Sequence, residues 1–500
     1  MSASPCPAVV TPRRSLVLLC ITLSLFMSAI EATIVATAMP QIVAQLGGFA
    51  FYSWVFSGYL LTQTATTVIF GKLSDIYGRK PIIIGGTVVF LIGSTLCGFS
   101  WSMESMIVFR LLQGVGAGAM QSIAVTIAGD MYSPRERLRI QGVLSSVWAA
   151  AAIVGPLVGG LIVEYSSWSW IFWINIPIGI VTIAGFVVFM HEDIAHKKHS
   201  IDYLGAALFS AAIGAFLIAL TQSATLTNAQ ILWLVAAGLA ASVVFVLVER
   251  YADEPMIALD LWGSQLVATC NISLFFGMMA LSGIGSYLPL YFQGVLGYSA
   301  ILAGLPVAVM MVSWPMASAV SGKILRHVPM RVATRFGGLL IPVGAVFLLF
   351  LTPGENIVLA GIGPALMGFG MGLLNITSVV MIQGSIAWSK RGSATASLIF
   401  ARTLGNTVGV AALGAMLNFG IVYYAAAGSG LAAATPEHVR ALLASIGTIA
   451  GGGSEPGLQA MLDGALHLAF WEMLVFALCA GAMCLLIPTR ELDSLTSGAP

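Results

Sequence analysis

Long apolar runs recur along the whole chain, and each is near the ~20 residues that an α-helix needs to cross about 30 Å of hydrocarbon. Only 8% of the 500 residues are charged, against roughly 25% in an ordinary soluble domain. A water-soluble fold could not cover its surface with so few charges. The chain is therefore predicted to be an all-α integral membrane protein.

The apolar runs predict fourteen transmembrane helices, in two halves of six with two further helices inserted between them. The first half has spans at 15–39, 54–71, 81–100, 106–127, 140–163 and 168–190. The inserted spans are 204–221 and 231–248, and the second half has 266–291, 303–321, 332–351, 357–382, 394–419 and 466–487. The predicted regions are a cytoplasmic N-terminus (1–14), the first half (15–190), cytoplasmic loops with the inserted helices (191–265), the second half (266–488) with a long external segment (421–465), and a cytoplasmic tail (489–500).

The positions of Lys and Arg predict the orientation of the chain. Of the 21 basic residues, Arg110 and Arg402 lie inside predicted spans and only Arg440 falls on the outer side. Because short cytoplasmic loops collect Lys and Arg, both termini are predicted to be cytoplasmic. The short loops favour a multi-pass protein of the cell membrane, in particular a bacterial inner membrane.

The two halves carry an internal repeat. The glycines of the fourth span at 114, 116 and 118 match those at 368, 370 and 372. At the same offset, Gly155 matches Gly409. A parallel repeat implies a pseudo-two-fold axis along the membrane normal, a binding site near the midplane, and alternating access by rocking of the halves.

The loop between the second and third spans contains Gly71, Asp75, Gly78, Arg79 and Lys80 in a fixed pattern. This pattern resembles the cytoplasmic loop motif of the major facilitator superfamily, in which glycines permit a tight turn and the charged residues hold helix ends together. A basic cluster that only fixes topology is the other interpretation. The glycine and acid spacing favours the motif.

The fourth span carries Arg110, followed by Gln113 and Gln121 on about the same helix face. It resembles the superfamily motif whose intramembrane arginine takes part in proton coupling. A structural arginine bonded to backbone carbonyls is the alternative. Beyond this span, Asp130 is placed to pair with Arg79.

The fifth span contains Gly155, Pro156 and Gly159, which are similar to the motif that marks antiporters within the superfamily. Small residues and a proline bend also serve close helix packing, so the structural and functional roles are hard to separate. Arg402 in the thirteenth span looks like the arginine of that helix in the same proteins.

The helix count and three segments resemble the fourteen-helix drug:proton antiporter family, which exports multiple drugs. These segments are 31–40, 254–262 and 296–304. The family usually has Asp at the position of Glu31, and the asparagine and leucine that follow there are Ala36 and Met39 in this chain. The resemblance therefore transfers only the acid's role.

Glu31 is predicted to be the only carboxylate deep in a span, where insertion of an acid costs roughly 2.5–3.5 kcal/mol. Ser24 and Ser28 lie on about the same helix face, so Glu31 is expected to face a polar cavity and to exchange a proton between the two sides. A purely structural partner for Arg110 is the alternative. Glu472 and His467 are expected at the interface, near the start of the last span.

With one deep acid, the expected cargo is a neutral or monocationic lipophilic compound. Candidate cavity residues are polar or amphipathic groups of both halves, although a lone polar residue in a span more often bonds a neighbouring helix. They are Tyr59, Gln63, Gln121, Asn271, Tyr287, Tyr291 and Asn375.

Other functional classes fit less well. A phosphate-binding Gly-x-x-x-x-Gly-Lys-Ser/Thr loop is absent from the sequence, and His191 and His196 are five residues apart rather than four, which disfavours a metalloenzyme. A channel stays possible on composition alone, and a dedicated exporter of a lipid, siderophore or antibiotic fits every motif. No enzyme activity, cofactor, metal or nucleic-acid partner is expected; protons, membrane lipid and a periplasmic adaptor are the candidate partners.

Overall fold

The computed structural model of the chain describes residues 14–132, 134–192, 203–221, 226–251, 259–325, 327–352, 357–386, 391–429 and 456–488. Over these residues the secondary structure is helical throughout. The first seven helices are α1 (Arg14–Leu46), α2 (Tyr52–Tyr77), α3 (Arg79–Gly98), α4 (Met103–Met131), α5 (Pro134–Tyr165), α6 (Trp170–Trp173) and α7 (Asn175–Phe189). The others are α8 (Tyr203–Thr221), α9 (Asn228–Tyr251), α10 (Gln265–Ser286), α11 (Leu288–Gly294), α12 (Ala300–Ile324), α13 (Met330–Leu349), α14 (Ile357–Ser385), α15 (Arg391–Ser429) and α16 (Pro456–Leu485).

The described residues contain fourteen helices, the number predicted, because α6 with α7 and α10 with α11 each form one long helix with a single break. Twelve helices in the described part of the chain are long and apolar enough to cross a membrane. The two others are α2, which ends in a polar loop motif, and α8, whose apolar part is the short run Ala207–Leu220.

The last two helices are longer than the hydropathy pattern predicts. The external segment predicted at 421–465 is helical at both described ends, since α15 continues to Ser429 and α16 begins at Pro456. Gly464 leaves room for the ring of Tyr424, so the two helices pack together beyond the predicted spans. Residues 430–455, with Arg440, lie outside the described residues.

The early start of α16 corrects two expectations. His467 lies in the fourth turn of α16 and Glu472 near its middle, so Glu472 is not at the beginning of a span. Glu31 is therefore not the only carboxylate deep in a transmembrane helix. The error arose because the Gly- and Ala-rich residues before 466 resemble a loop in composition.

The residues form two compact units. Unit 1 comprises Met1–Val35, Gly58–Gly214 and Gly238–Met256, and unit 2 comprises Ala36–Ser57, Ala215–Ala237 and Ile257–Pro500. Helices α1, α2, α8 and α9 thus contribute residues to both units. Unit 1 has an apolar core in which residues of α1, such as Val17 and Ile21, pack with α3, α4, α5 and α7.

The internal repeat is confirmed by equivalent glycine contacts in the two units. A Cβ atom on Gly114 or Gly118 of α4 would collide with backbone oxygens of α2, and Gly368 and Gly372 of α14 stand in the same relation to α12. The middle glycine of each triplet instead packs on the backbone of α3 or α13. Because each glycine brings two backbones together, the repeat preserves helix packing.

Candidate functional site

The centre of unit 1 contains a buried ion pair between Glu31 of α1 and Arg110 of α4. Arg110 Nη1 lies 2.6 Å from Glu31 Oε1. Glu31 is 0% exposed and Arg110 is 1% exposed. A lone charge of either sign is costly in such surroundings, and the opposite charge offsets that cost only while the two groups stay together. Loss of either charge would therefore leave the other one buried without its partner.

Asn175 completes the hydrogen bonding of the carboxylate. It is the first residue of α7, next to the break after α6, and its Nδ2 donates to Glu31 Oε2 at 2.9 Å and to Ser94 Oγ at 3.0 Å. Gln113 Oε1 accepts from Arg110 Nη1 at 2.8 Å. Both carboxylate oxygens and the guanidinium are thus held by neighbouring side chains.

Asn175 was absent from the sequence-based prediction. The signal that could have revealed it is a single amide in an otherwise apolar span. Its partner on α1 is 144 positions away, and nothing in the local pattern predicts that pairing.

Tyr59 of α2 lies against the same ion pair. The Arg110 Cζ atom is 4.2 Å from the centroid of the Tyr59 ring, which is the geometry of a cation–π interaction. Ser24 and Ser28 are also buried in unit 1, as the predicted polar face of α1 requires. Arg110 is therefore held by a carboxylate, an amide and an aromatic face together.

The motif between α2 and α3 contains a second group of ionic contacts. Gly78, at φ 94°, precedes α3, and Arg79 Nε pairs with Asp130 Oδ2 at 2.6 Å, as expected. Glu192, which the sequence-based prediction missed, accepts from the backbone N–H groups of Arg79 and Lys80 at 2.8 and 2.9 Å. These contacts join the beginning of α3 to the ends of α4 and α7.

The remaining motif residues of this loop give less information. A Cβ on Gly71 would meet open space. The side chain of Asp75 lies outside the described part of the structure. Lys80 Nζ donates to the carbonyl of Met190 at 2.7 Å, so this lysine binds the end of α7.

Replacing Glu192 with alanine should destabilise the protein by about 1–2 kcal/mol, because two N–H groups of the first turn of α3 lose their acceptor and the helix dipole loses a nearby negative charge. Hydrogen exchange of the first-turn amides of α3 should become faster. Glu164→Ala, at an exposed position at the end of α5, is the matched control. Unchanged exchange in Glu192→Ala would contradict the capping role.

The antiporter-type motif packs α5 against α1 beside the ion pair. A Cβ on Gly155 would collide with Thr33 Oγ1, and Gly159 lies against Ile34. Thr33 in turn donates to the carbonyl of Ala151 at 3.1 Å, and Pro156 lies within α5. The glycines therefore set how closely α5 approaches the segment of α1 that carries Glu31.

Gly155→Val should lower stability by about 1–3 kcal/mol, the usual cost of overpacking a close helix contact. Gly85→Val is a suitable control, since a Cβ there has no neighbour within 4 Å. Thermal unfolding in detergent compares the two variants. Equal midpoints would show that α1 and α5 can separate without cost.

The other predicted site residues are placed as follows. Gln63 Nε2 donates to Gln121 Oε1 at 2.9 Å within unit 1. In unit 2, Asn271 donates to Ser397, and Asn375 is half-buried. The hydroxyl of Tyr287 donates to the backbone oxygen of Val410, and that of Tyr291 to the backbone oxygen of Leu351. The Cζ atom of Arg402 is 6.0 Å from the centroid of the Trp314 ring. A role of these residues in substrate binding stays a prediction.

Within the described ranges, no group of three or more His, Cys, Asp or Glu side chains is placed to hold a metal ion.

The protein-family model described as Major Facilitator Superfamily matches residues 21–410 of the chain. Multidrug transporter protein MdtP of Bacillus subtilis (strain 168) is 32% identical over 413 residues, which cover 81% of this chain and 76% of that protein. Multidrug resistance protein 3 of the same organism is 33% identical, covering 80% and 78%. The crystal structure of a bacterial homologue of the human lysosomal transporter Spinster superposes with a TM-score of 0.68 at 18% identity, covering 97% of this chain and 99% of that one.

Proposed function

The chain belongs to the Major Facilitator Superfamily and is a membrane transporter rather than an enzyme, and on that premise we propose that it exports lipophilic compounds in exchange for protons by alternating access. The observation that supports proton coupling is the arrangement around Glu31. A carboxylate fully buried in a membrane-embedded helix stays charged only while Arg110 and Asn175 hold it. Taking up a proton removes the charge and frees Arg110, so protonation and rearrangement of unit 1 occur together.

In the proposed cycle, proton entry drives export. Glu31 is proposed to take a proton from the outer side, where protons are abundant, and to lose it towards the more alkaline cytoplasm when Arg110 returns. Arg110 has the role of a counter-charge that competes with the proton. The contact between Arg79 and Asp130 is proposed to hold one state of the cycle, together with the other residues of the loop motif, Gly71, Asp75, Gly78 and Lys80. A role in helix packing is proposed for Gly155, Pro156, Gly159 and Arg402.

The substrate class rests on the relatives, two of which are named as multidrug proteins at about one-third identity. We propose neutral or monocationic lipophilic compounds, because Glu31 is already neutralised by Arg110. Glu472, near the middle of α16, is a second acid that the sequence-based argument did not count. Export of a dication by the wild-type protein, with loss of that export in Glu472→Gln, would overturn the proposed charge limit.

The finer topology is also a proposal: α2 and α8 cross the membrane, giving fourteen spans in a bacterial inner membrane with both termini in the cytoplasm. In a variant whose six native cysteines are replaced by alanine, cysteines placed at Phe51 and Thr227 should react with a membrane-impermeant thiol reagent added outside. Cysteines at Tyr77 and Leu204 should react only from inside. Labelling of all four from one side would contradict both additional spans.

Transport by purified protein in lipid vesicles tests the function. A fluorescent monocation loaded into vesicles should leave faster when the outside is made acidic, and a pH-sensitive dye inside should report proton entry that depends on the loaded compound. An uncoupler should abolish both signals. If neither neutral nor monocationic dyes move, a dedicated exporter of an endogenous compound becomes the better interpretation; ion flux without turnover would indicate a channel.

A further inference from the structure

A second polar cluster lies in unit 2, near the N-terminal end of α16, and the Glu31 site does not use it. His467 Nδ1 is 2.9 Å from the carbonyl oxygen of Asp463 and 3.2 Å from the Asp463 carboxylate oxygen Oδ1. His467 Nε2 is 2.9 Å from the carbonyl oxygen of Leu351, which follows the end of α13. The ring thus bridges two elements of unit 2.

The geometry determines the protonation state that fits. Carbonyl and carboxylate oxygens only accept hydrogen bonds, and a neutral imidazole has one N–H, so it would turn a lone pair towards one of these oxygens. An imidazolium ring has two N–H groups and can donate to both sides. The C-terminal end of a helix such as α13 also favours a cation. An imidazolium ring would therefore satisfy the oxygens on both sides of His467.

The histidine and its acid are only partly buried in unit 2. The side chains of His467 and Asp463 are 24% and 29% exposed. Tyr291 of α11 donates its hydroxyl to the same Leu351 oxygen at 3.1 Å, and its ring centroid is 5.8 Å from that of His467. Leu351 therefore accepts one hydrogen bond from a titrating side chain and one from a phenol that is neutral at physiological pH.

Other titratable groups lie on the elements around His467. Those of the helices packed against α16, and of α16 itself, are Cys270 on α10, Arg331 and Arg335 at the opposite end of α13, Arg391, Arg402, Tyr423 and Tyr424 on α15, and Glu472, Cys479 and Cys484 on α16. Tyr287, between α10 and α11, donates to the Val410 carbonyl. Glu355 lies outside the described residues. Asp463 is the acid that the structure places in direct contact with the His467 ring.

We propose that His467 is a proton-binding site separate from Glu31, which ties α16 to the end of α13 when it is protonated and releases that tie when it loses its proton. In the proposed topology this end of α16 is on the external side, so the site responds to external pH. The effect on export rests on the proposed function: export should slow as external pH rises through the titration of His467. The proton-binding event itself does not depend on transport.

Nuclear magnetic resonance of protein labelled with ¹⁵N-histidine tests proton binding directly. The chain has six histidines, and the signal missing in His467→Gln identifies residue 467. At pH 7.5, where a free histidine is mostly neutral, this signal should show two protonated ring nitrogens. In Asp463→Asn, the titration should move to lower pH. A neutral ring at pH 7.5 in the wild-type protein would overturn the proposal.

A transport measurement tests the consequence. At a fixed pH difference across the vesicle membrane, the wild-type rate should show a step with external pH that His467→Gln lacks, since glutamine can still donate to Leu351 but cannot titrate. His327→Gln, in the turn between α12 and α13, removes a different histidine and should keep the step. A full step in His467→Gln would refute the regulatory role. If no compound moves at all, the proposed function fails while the resonance result still stands or falls separately.

Discussion

Proton-driven efflux should fall at least about tenfold when Glu31 is replaced by glutamine, because the only group in the buried pair that can exchange a proton is lost. Glutamine has nearly the same size and can still accept from Arg110. It fixes the site in a form without charge. The measurement is net efflux of a loaded dye from vesicles under an imposed pH gradient, together with the accompanying proton entry.

Substrate exchange separates loss of coupling from loss of folding. With the same compound on both sides and no gradient, Glu31→Gln should exchange it at a rate close to wild type, because exchange does not require Glu31 to release its proton. Glu104→Gln, at an exposed position in the first turn of α4, is the matched control and should behave as wild type in both assays. Glu31→Asp should retain part of the coupled efflux, since the carboxylate is kept but shortened. Normal coupled efflux in Glu31→Gln would transfer the coupling role to Arg110, Asp130 or Glu472.

Replacement of Arg110 with methionine should destabilise unit 1 by about 3–5 kcal/mol at alkaline pH, because it leaves Glu31 charged and buried without its partner. The loss should be smaller at acid pH, where Glu31 can escape the penalty by taking up a proton. Apparent thermal midpoints in detergent, at several pH values and one heating rate, give the comparison.

The double variant Glu31→Leu/Arg110→Met provides the decisive comparison. It removes both charges and should recover most of the stability lost in Arg110→Met, while transport stays absent. The two substitutions are then strongly non-additive, as expected for residues in contact. Additive losses would mean that Glu31 and Arg110 do not depend on each other, and the proposed competition between Arg110 and the proton would be wrong.

Hydropathy predicted the helices well because the bilayer imposes a helix length. The helix ends were less predictable. Tyr424 and Gly464 show why: two helices that pack on each other can continue through Gly- and Ala-rich sequence that resembles a loop. The same effect moved Glu472 from the expected interface to the middle of α16.

The site residues divide in a similar way. Glu31 and Arg110 could be predicted because a charge inside an apolar span costs free energy and is rare there unless it has a functional role. Asn175 and Glu192 could not, because their importance depends on partners that are distant in sequence. Asn175 is one amide in a helix, and Glu192 is one acid in a charged loop. Only the fold shows that the first binds the Glu31 carboxylate and the second the start of α3.

Helix α7 connects these two missed residues, with Asn175 as its first residue and Glu192 just beyond its last. Its 15 residues form a rod of about 22 Å, with the buried ion pair at one end and the Arg79 motif at the other. In genetic terms, mutations at the buried ion pair and mutations at the Arg79 motif are expected to be epistatic. Suppressors of defects at Glu31 should therefore accumulate along α7 and at residue 192, even though most of these positions touch neither the proton nor the cargo.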